Sequence, residues 1–171
     1  MSVSGSRRLL IHYLASIAYH FQKAIRNAPN DYWKFSAGNK VRTPKEILLH
    51  ITSLIGYART FFIGGSYTPE SLPNIQDEIA RFHKILEDIS KHINSDSDLN
   101  EITEYQLLQG PLSDIMTHIG QLSMLRRLYG EPIPPENFIY ADISSTRLGK
   151  NQPLPRAPDK DWPEAPSKNK S

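Results

Sequence analysis

The chain has no cysteine among its 171 residues, so neither disulfide bonds nor thiolate metal ligands contribute to its fold or its chemistry. It also shows no secretory signal, because the short apolar stretch 9–11 is interrupted at once by His12. The most apolar window, 47–63, contains His50 and Arg59 and is typical of an amphipathic core helix rather than a membrane span. These absences predict a cytoplasmic protein without a membrane partner.

The chain also has no large excess of charge of either sign. The chain has 20 Lys and Arg against 18 Asp and Glu, which gives a net charge of +2 and a pI of about 8.8. The basic residues are scattered and form no stripe with interleaved aromatic residues, the pattern that a nucleic-acid binder shows. A nucleic-acid partner is therefore not expected.

Four segments carry apolar residues at helical spacing, about 7–28, 43–63, 74–93 and 110–130. The second has the clearest start, because Thr43 is a good N-cap, Pro44 fits the first helical position and Glu46 can complete a capping box. Without a convincing pair of strands, these segments predict an all-α protein, most simply a four-helix bundle. The connections 29–42 and 94–109 are long enough to cross the bundle.

Proline is unevenly distributed, since eight of the 13 prolines follow Glu131. A helix is excluded there and an extended path is favoured. The domain organisation expected is a bundle over 1–130 and an extended, proline-rich strap over 131–171, with the last residues, 167–171, frayed. A disordered tail is the alternative, but spaced apolar residues suggest anchors on the bundle. These residues are Phe138, Tyr140, Ile143, Leu148 and Trp162.

Two of the six histidines lie on the inward faces of predicted helices. His50 follows Ile47 by three residues and precedes Leu54 by four, and His118 has similar apolar flanks in the fourth segment. Asp114 lies one turn before His118 on the same face, because residues four apart stack on a helix. Bundles build metal sites from such side chains on facing helices, and two imidazoles with one carboxylate leave positions open for water or substrate.

The same residues also allow a structural role. Asp114 lies in the first turn of its helix, where the helix dipole favours a carboxylate without any metal. A buried His118 bonded to Asp114 would be an ordinary satisfied polar pair. In that alternative the chain is a non-catalytic interaction or dimerisation module that binds no metal.

Two segments resemble the DinB/YfiT-like superfamily of metalloenzymes. Segment 42–61, RTPKEILLHITSLIGYARTF, is similar to that family's second helix, with His50 where the family has a metal-binding histidine. Segment 110–130, GPLSDIMTHIGQLSMLRRLYG, is similar to its fourth helix, in which a His-x-x-x-His pair precedes a Gly-Gln and an LRRL-like run. The resemblance extends over 7–130 in layout and implies a four-helix bundle with a metal-binding pocket.

The chain departs from that family at Asp114, which stands where the first histidine of the pair is common. The resemblance implies that His50 and His118 bind a divalent metal, which would be zinc, nickel, iron or manganese. Asp114 is then either the third ligand or a partner that orients His118.

The resemblance also implies a reaction class, because family members include S-transferases and isomerases that use low-molecular-weight thiols. The expected function is a metal-dependent hydrolase or thiol S-transferase, in which the metal lowers the pKa of a bound water or thiol that attacks a small-molecule substrate. The sequence assigns no catalytic residue. Tyr57, His83 and Gln121 are expected to line the cavity, and a homodimer is the assembly that bundles of this type often form.

Overall fold

The computed structural model describes residues 4–95 and 97–159. Within those two ranges four long helices dominate, and the one strand-like pairing is a single antiparallel bridge between Glu136 and Pro158. The expected all-α bundle is confirmed. The helices are α1 (Gly5–Ile25), α2 (Pro44–Ile63), α3 (Ile75–Asn94), the short α4 (Glu104–Leu107) and α5 (Ser113–Tyr129).

The start of α2 follows the capping box expected from the sequence. Oγ1 of Thr43 accepts a hydrogen bond from the backbone N–H of Glu46 over 3.3 Å, and a Glu46 carboxylate oxygen accepts from the backbone N–H of Thr43 over 2.7 Å. The helix ends at Gly64, whose φ of 76° suits a residue without a side chain. The N-terminal cap at Thr43 fixes the residue at which α2 begins, and therefore the direction in which His50 projects.

The four long helices pack pairwise around one core. α2 lies against α3, α1 lies against α5 and α3, and α2 also contacts α5. Phe21 of α1 and Phe82 of α3 meet at the centre, with ring centroids 4.5 Å apart. Each fully buried side chain of this size stabilises the fold by about 1.5–3 kcal/mol. Other side chains with no exposed surface include Leu14, Ile17, Leu48, Ile51, Ile55, Leu86, Ile89 and Leu122.

The fourth predicted helix begins earlier than expected. Its predicted start is near Gly110, but α4 begins at Glu104, with Thr103 as N-cap and Gln106 completing a second capping box. A π-helical turn, Leu108–Leu112, then joins α4 to α5, and Gly110 departs from helical geometry there (φ −87°, ψ −108°). Pro111 has no N–H to donate to the preceding turn, which explains why regular α-helix is interrupted at this point.

Residues 131–159 contact the bundle at several points, among them Glu136 on α1 and Leu148 on α3. The hydroxyl of Tyr19 donates to Oε1 of Glu136 over 2.6 Å, and Nζ of Lys23 lies 3.2 Å from the other carboxylate oxygen. Leu148 is 7 % exposed, and its carbonyl oxygen lies 2.6 Å from Nδ1 of His83.

Not every residue expected to anchor the C-terminal segment does so. Tyr140 is 63 % exposed, whereas Phe138, although 40 % exposed, contacts α1, with its ring centroid 4.1 Å from that of His20. Trp162 and the expected frayed end, 167–171, lie outside the described residues.

α2 is long and apolar enough to cross a membrane by length and composition alone. Of its most apolar 18-residue window, 44 % is buried inside the bundle. A core helix of a soluble protein passes the same test.

Two helix-interior glycines, Gly56 of α2 and Gly120 of α5, have opposite surroundings. A Cβ on Gly56 would overlap the ring of Tyr67, whereas a Cβ on Gly120 would meet no atom within 4 Å. We therefore expect Gly56→Ala to lower the free energy of unfolding by about 1–3 kcal/mol. Gly120→Ala should raise it by about 1 kcal/mol, since only helix propensity changes. Urea denaturation measures both, and stabilisation by both substitutions would contradict the packing of Tyr67 on α2.

Candidate metal centre

His50, Asp114 and His118 come together because α2 contacts α5. Each residue offers one ligand atom, and these three atoms lie within 4.8 Å of one another. The two imidazole rings meet edge to face, with centroids 4.5 Å apart and an interplanar angle of 86°. Nε2 of His118 lies 3.4 Å from Oδ1 of Asp114, one helical turn away. The structure thus assembles the three residues that the sequence indicates as a site.

One of the three distances between ligand atoms already fits a divalent ion. Tetrahedral bonds of about 2.1 Å place neighbouring ligand atoms about 3.4 Å apart. The contact between His118 and Asp114 already has this length, at 3.4 Å. The remaining distances reach at most 4.8 Å, so the ligand atoms of His50 and Asp114, the two less buried members, must move by up to about 1.4 Å to reach a common ion.

Gln121 fixes the orientation of the His118 ring. Nδ1 of His118 lies 2.8 Å from Oε1 of Gln121, three residues further along α5. Since Oε1 is an acceptor, Nδ1 carries a hydrogen and donates it, so that in the neutral form of the ring Nε2 has a lone pair. That lone pair is directed toward Asp114. This is the arrangement by which an outer partner selects the tautomer of a metal-binding histidine.

The Gln121 contact also bears on the reading of Asp114 and His118 as a simple pair. In the neutral ring Nε2 has no hydrogen to donate to Asp114 and both facing atoms are acceptors, whereas in the imidazolium Nε2–H faces Asp114 as an ion pair. The Asp114 side chain is 48 % exposed, so the pair is not enclosed in the core. Three lone-pair donors facing one another are stabilised by a cation placed between them.

The surroundings of His50 favour its neutral form. The pKa of His50 is lowered, first because partial burial disfavours the imidazolium, and then because Arg42 and His118 add positive charge nearby. Asp114 acts in the opposite direction and raises the pKa. A neutral imidazole is the form that binds a metal, so protons compete weakly for this ligand at neutral pH.

A cleft of about 650 Å³ begins at Asp114 and runs between α2 and the π-helical turn. Leu54, Tyr57 and Phe61 form its α2 side. From the spacing, Leu54 and Phe61 belong to the inward stripe of α2, but both are only half-buried and face this cleft. Tyr57 is 51 % exposed and lies in the same cleft as Asp114.

The other two residues expected to line the cavity lie elsewhere. Gln121 borders a separate groove of about 590 Å³ beside Arg42. His83 is buried on α3, where Leu148 and Gln22 occupy both of its ring nitrogens at 2.6 and 2.7 Å. His83 therefore positions the C-terminal segment and takes no part in the metal centre.

The sequence does not predict an orienting role for Gln121, although the spacing of Gln121 from His118 is consistent with one. His118 and Gln121 are three residues apart, and side chains at this spacing are neighbours on a helix surface. The sequence does not predict the exposure of the site either, because helical periodicity gives the direction of a side chain but not the extent of the neighbouring helices.

No protein-family model, curated protein or solved structure matches the chain. Its function is therefore inferred from the residues and geometry of the centre.

Gln121→Leu removes the acceptor that holds Nδ1 of His118 while keeping most of the side-chain volume. We expect Zn²⁺ affinity to fall by about 10–100-fold, the usual effect of losing an orienting partner. Gln121→Glu keeps an acceptor and should retain affinity. Competition with a chromophoric chelator measures both, and Gln76→Leu, at an exposed position on α3, is the matched control. Equal affinity for Gln121→Leu and the parent chain would show that the ring is oriented by other contacts.

Proposed function

We propose that this chain is a metal-dependent enzyme similar to the DinB/YfiT-like superfamily. It binds a divalent ion through His50, His118 and Asp114, and it activates a water or a low-molecular-weight thiol for hydrolysis of, or S-transfer to, a small molecule. The observation that supports this most directly is the convergence of three potential ligand atoms, one of them on a ring that Gln121 orients. The family likeness itself depends on the two helix motifs alone.

The donor set suggests which ions would bind. Two imidazoles and one carboxylate suit zinc, nickel, iron or manganese. Asp114 replaces the imidazole usual at this position in the family it resembles, and a carboxylate shifts the preference toward harder ions. With three protein ligands, the remaining coordination positions are available to water or substrate, as catalytic metal sites require.

The residues of the centre have different roles. When bound, a divalent ion supplies the Lewis acidity that makes water or a thiol nucleophilic at neutral pH. His118 is 8 % exposed and held by Gln121, so it gives the site its fixed reference point. Asp114 is half exposed and forms the border between the centre and the cleft, where a substrate can approach. No residue is assigned a proton-transfer role.

A second function has its own supporting observation. Val41, Met124 and Leu128 are each about half exposed and border one groove beside Gln121. An apolar surface of this kind is typical of protein contacts. The alternative proposal is a non-catalytic interaction or dimerisation module, in which Asp114 and His118 form a polar pair without metal.

The localisation, partners and assembly of the chain are part of the same proposal. We propose a cytoplasmic protein that acts on a small molecule, without a nucleic-acid or membrane partner and with homodimerisation through a helix face. The nearly balanced charge supports the absence of a nucleic-acid partner, and measured binding that falls steeply with salt would contradict it.

Metal content and turnover together test the proposal. Protein purified without an affinity tag should contain close to one equivalent of a divalent metal by elemental analysis. It should hydrolyse 4-nitrophenyl acetate or transfer a thiol to 1-chloro-2,4-dinitrobenzene, with activity lost on chelation and restored by metal. Metal-free protein whose melting temperature does not respond to Zn²⁺, Ni²⁺, Fe²⁺ or Mn²⁺ would overturn the proposal and favour the interaction module.

A further inference from the structure

The cleft that begins at Asp114 has a composition that selects its ligand. We propose that it binds an uncharged molecule that combines a planar apolar ring with an amide or carbonyl group, and that it presents this group to the metal centre. That the bound molecule is a substrate rests on the proposed function. The binding preference itself depends only on the residues of the cleft.

One wall of the cleft is apolar and aromatic. Leu54, Tyr57 and Phe61 lie on successive turns of α2, and Ile102 extends the wall from the segment before α4. The rings of Tyr57 and Phe61 meet edge to face, with centroids 4.8 Å apart and an interplanar angle of 71°. Aromatic rings in this arrangement offer both a face and an edge to a third ring. A flat apolar ligand is therefore favoured over a flexible polar chain.

The opposite wall is polar but carries no cation. Gln109, Ser113 and Thr117 lie along it. The hydroxyl of Ser113 donates to the carbonyl of Leu108 over 2.7 Å, and that of Thr117 donates to the carbonyl of Ser113 over 3.2 Å. Because both hydroxyl hydrogens are used in these bonds, each hydroxyl presents only an acceptor oxygen to the cleft. The side-chain amide of Gln109 presents donors as well as an acceptor. A neutral amide or carbonyl group, with its donors and acceptors, matches this wall.

The charge pattern disfavours ionic ligands, because among the described lining residues an anion meets no cation, and a cation meets Asp114 alone, whose 48 % exposed side chain gives a weak, water-screened ion pair. Among the described residues that line the cleft, Asp114 is the one charged side chain, and none is Lys or Arg. The groove on the other side of the centre differs, because Lys40 and Arg42 both border it. An anion would find cations in that groove and none in the cleft, where its desolvation would not be compensated.

The backbone of the cleft supports its reading as a binding site. The π-helical turn Leu108–Leu112 carries Gly110 at the border of the cleft, and a Cβ there would meet no atom within 4 Å. Single π-helical turns inside helices occur frequently at functional sites. The cavity volume, about 650 Å³, falls within the range of about 300–1,000 Å³ usual for small-molecule pockets.

Three probes of nearly the same shape test the preference: 2-naphthamide, 2-naphthoate and 2-naphthamidinium. Each is titrated into ¹⁵N-labelled full-length chain carrying His50→Ala, so that direct binding to a metal does not contribute. The amide should bind at least tenfold more tightly than either ion and should shift resonances of residues 54–61 and 106–117. Thr117→Trp, which fills the cleft, should weaken the amide at least tenfold, while Met124→Trp on an exposed position of the same helix should not.

The outcomes separate this proposal from the proposed function. Tighter binding of either ion, or amide binding unaffected by Thr117→Trp in a chain that melts like its parent, overturns the cleft assignment. Should Thr117→Trp fail to fold, Tyr57→Ala removes part of the aromatic wall and replaces it in the same comparison. Amide binding in a protein that takes up no metal would leave this assignment in place while the enzyme proposal fails.

Discussion

His118→Ala is expected to lower the affinity for Zn²⁺ by more than about 100-fold, because loss of a ligand exceeds the 10–100-fold effect of losing an orienting partner. His118 is the most buried of the three candidate ligands, and its Nδ1 lies 2.8 Å from Oε1 of Gln121, which orients the ring. Without it, only two potential ligands remain, His50 on α2 and Asp114 on α5. Isothermal titration or chelator competition measures the change.

Two further substitutions make the result specific. His12→Ala removes a histidine from an exposed position on α1 and should leave Zn²⁺ affinity unchanged. Asp114→His restores the His-x-x-x-His pair of the family that the chain resembles, and it should retain Zn²⁺ binding while weakening binding of Mn²⁺, since imidazole is the softer ligand. Undiminished Zn²⁺ binding by His118→Ala would remove the basis for the whole centre.

The parts of the fold that the sequence predicts well are those set by neighbours along the chain. The start of α2 depends on Thr43 and Glu46, three residues apart, and the structure forms both hydrogen bonds of that capping box. The faces of His50 and His118 follow from helical periodicity in the same way. Their convergence depends in addition on α2 contacting α5, which the bundle architecture implies.

The features that the sequence leaves open depend on residues far apart or on local exceptions. α4 begins with a second capping box, between Thr103 and Gln106, but Gly110 and Pro111 suggest a break and so a later start. The contact between Tyr19 and Glu136 joins residues more than a hundred positions apart. No periodicity encodes such a pair, because it depends on where the C-terminal segment meets α1.

His83 provides the second large expected effect, on stability rather than on metal binding. It is 4 % exposed, with Nδ1 at 2.6 Å from the carbonyl of Leu148 and Nε2 at 2.7 Å from the amide of Gln22. A neutral ring satisfies both contacts, since Nδ1–H donates to the carbonyl and Nε2 accepts from the amide. Burial lowers the pKa of His83 from 6.5 to about 4; the Leu148 contact opposes this and Lys150 adds to it.

The sign of the pH dependence follows from which state binds the proton. As the pH falls below 6.5, His83 is protonated in the unfolded chain, while in the folded protein it stays neutral until about pH 4. The unfolded state therefore binds more protons in this window, and the free energy of unfolding falls as the pH falls. The full contribution is present above pH 6.5, and roughly 3 kcal/mol of it is lost by pH 4.

Urea denaturation of the parent chain and of His83→Asn between pH 7 and pH 4 measures this contribution. Asparagine keeps an N–H donor for the carbonyl of Leu148 and has no proton to gain, so the variant should be less stable than the parent at pH 7 but lose less stability on acidification. The carboxylates titrate in both chains and cancel in the difference. His12→Asn, at an exposed position, controls for loss of a histidine as such. Parallel pH profiles for the parent and His83→Asn would mean that His83 becomes charged in the folded protein, and that the contact between α3 and Leu148 yields to water before the bundle unfolds.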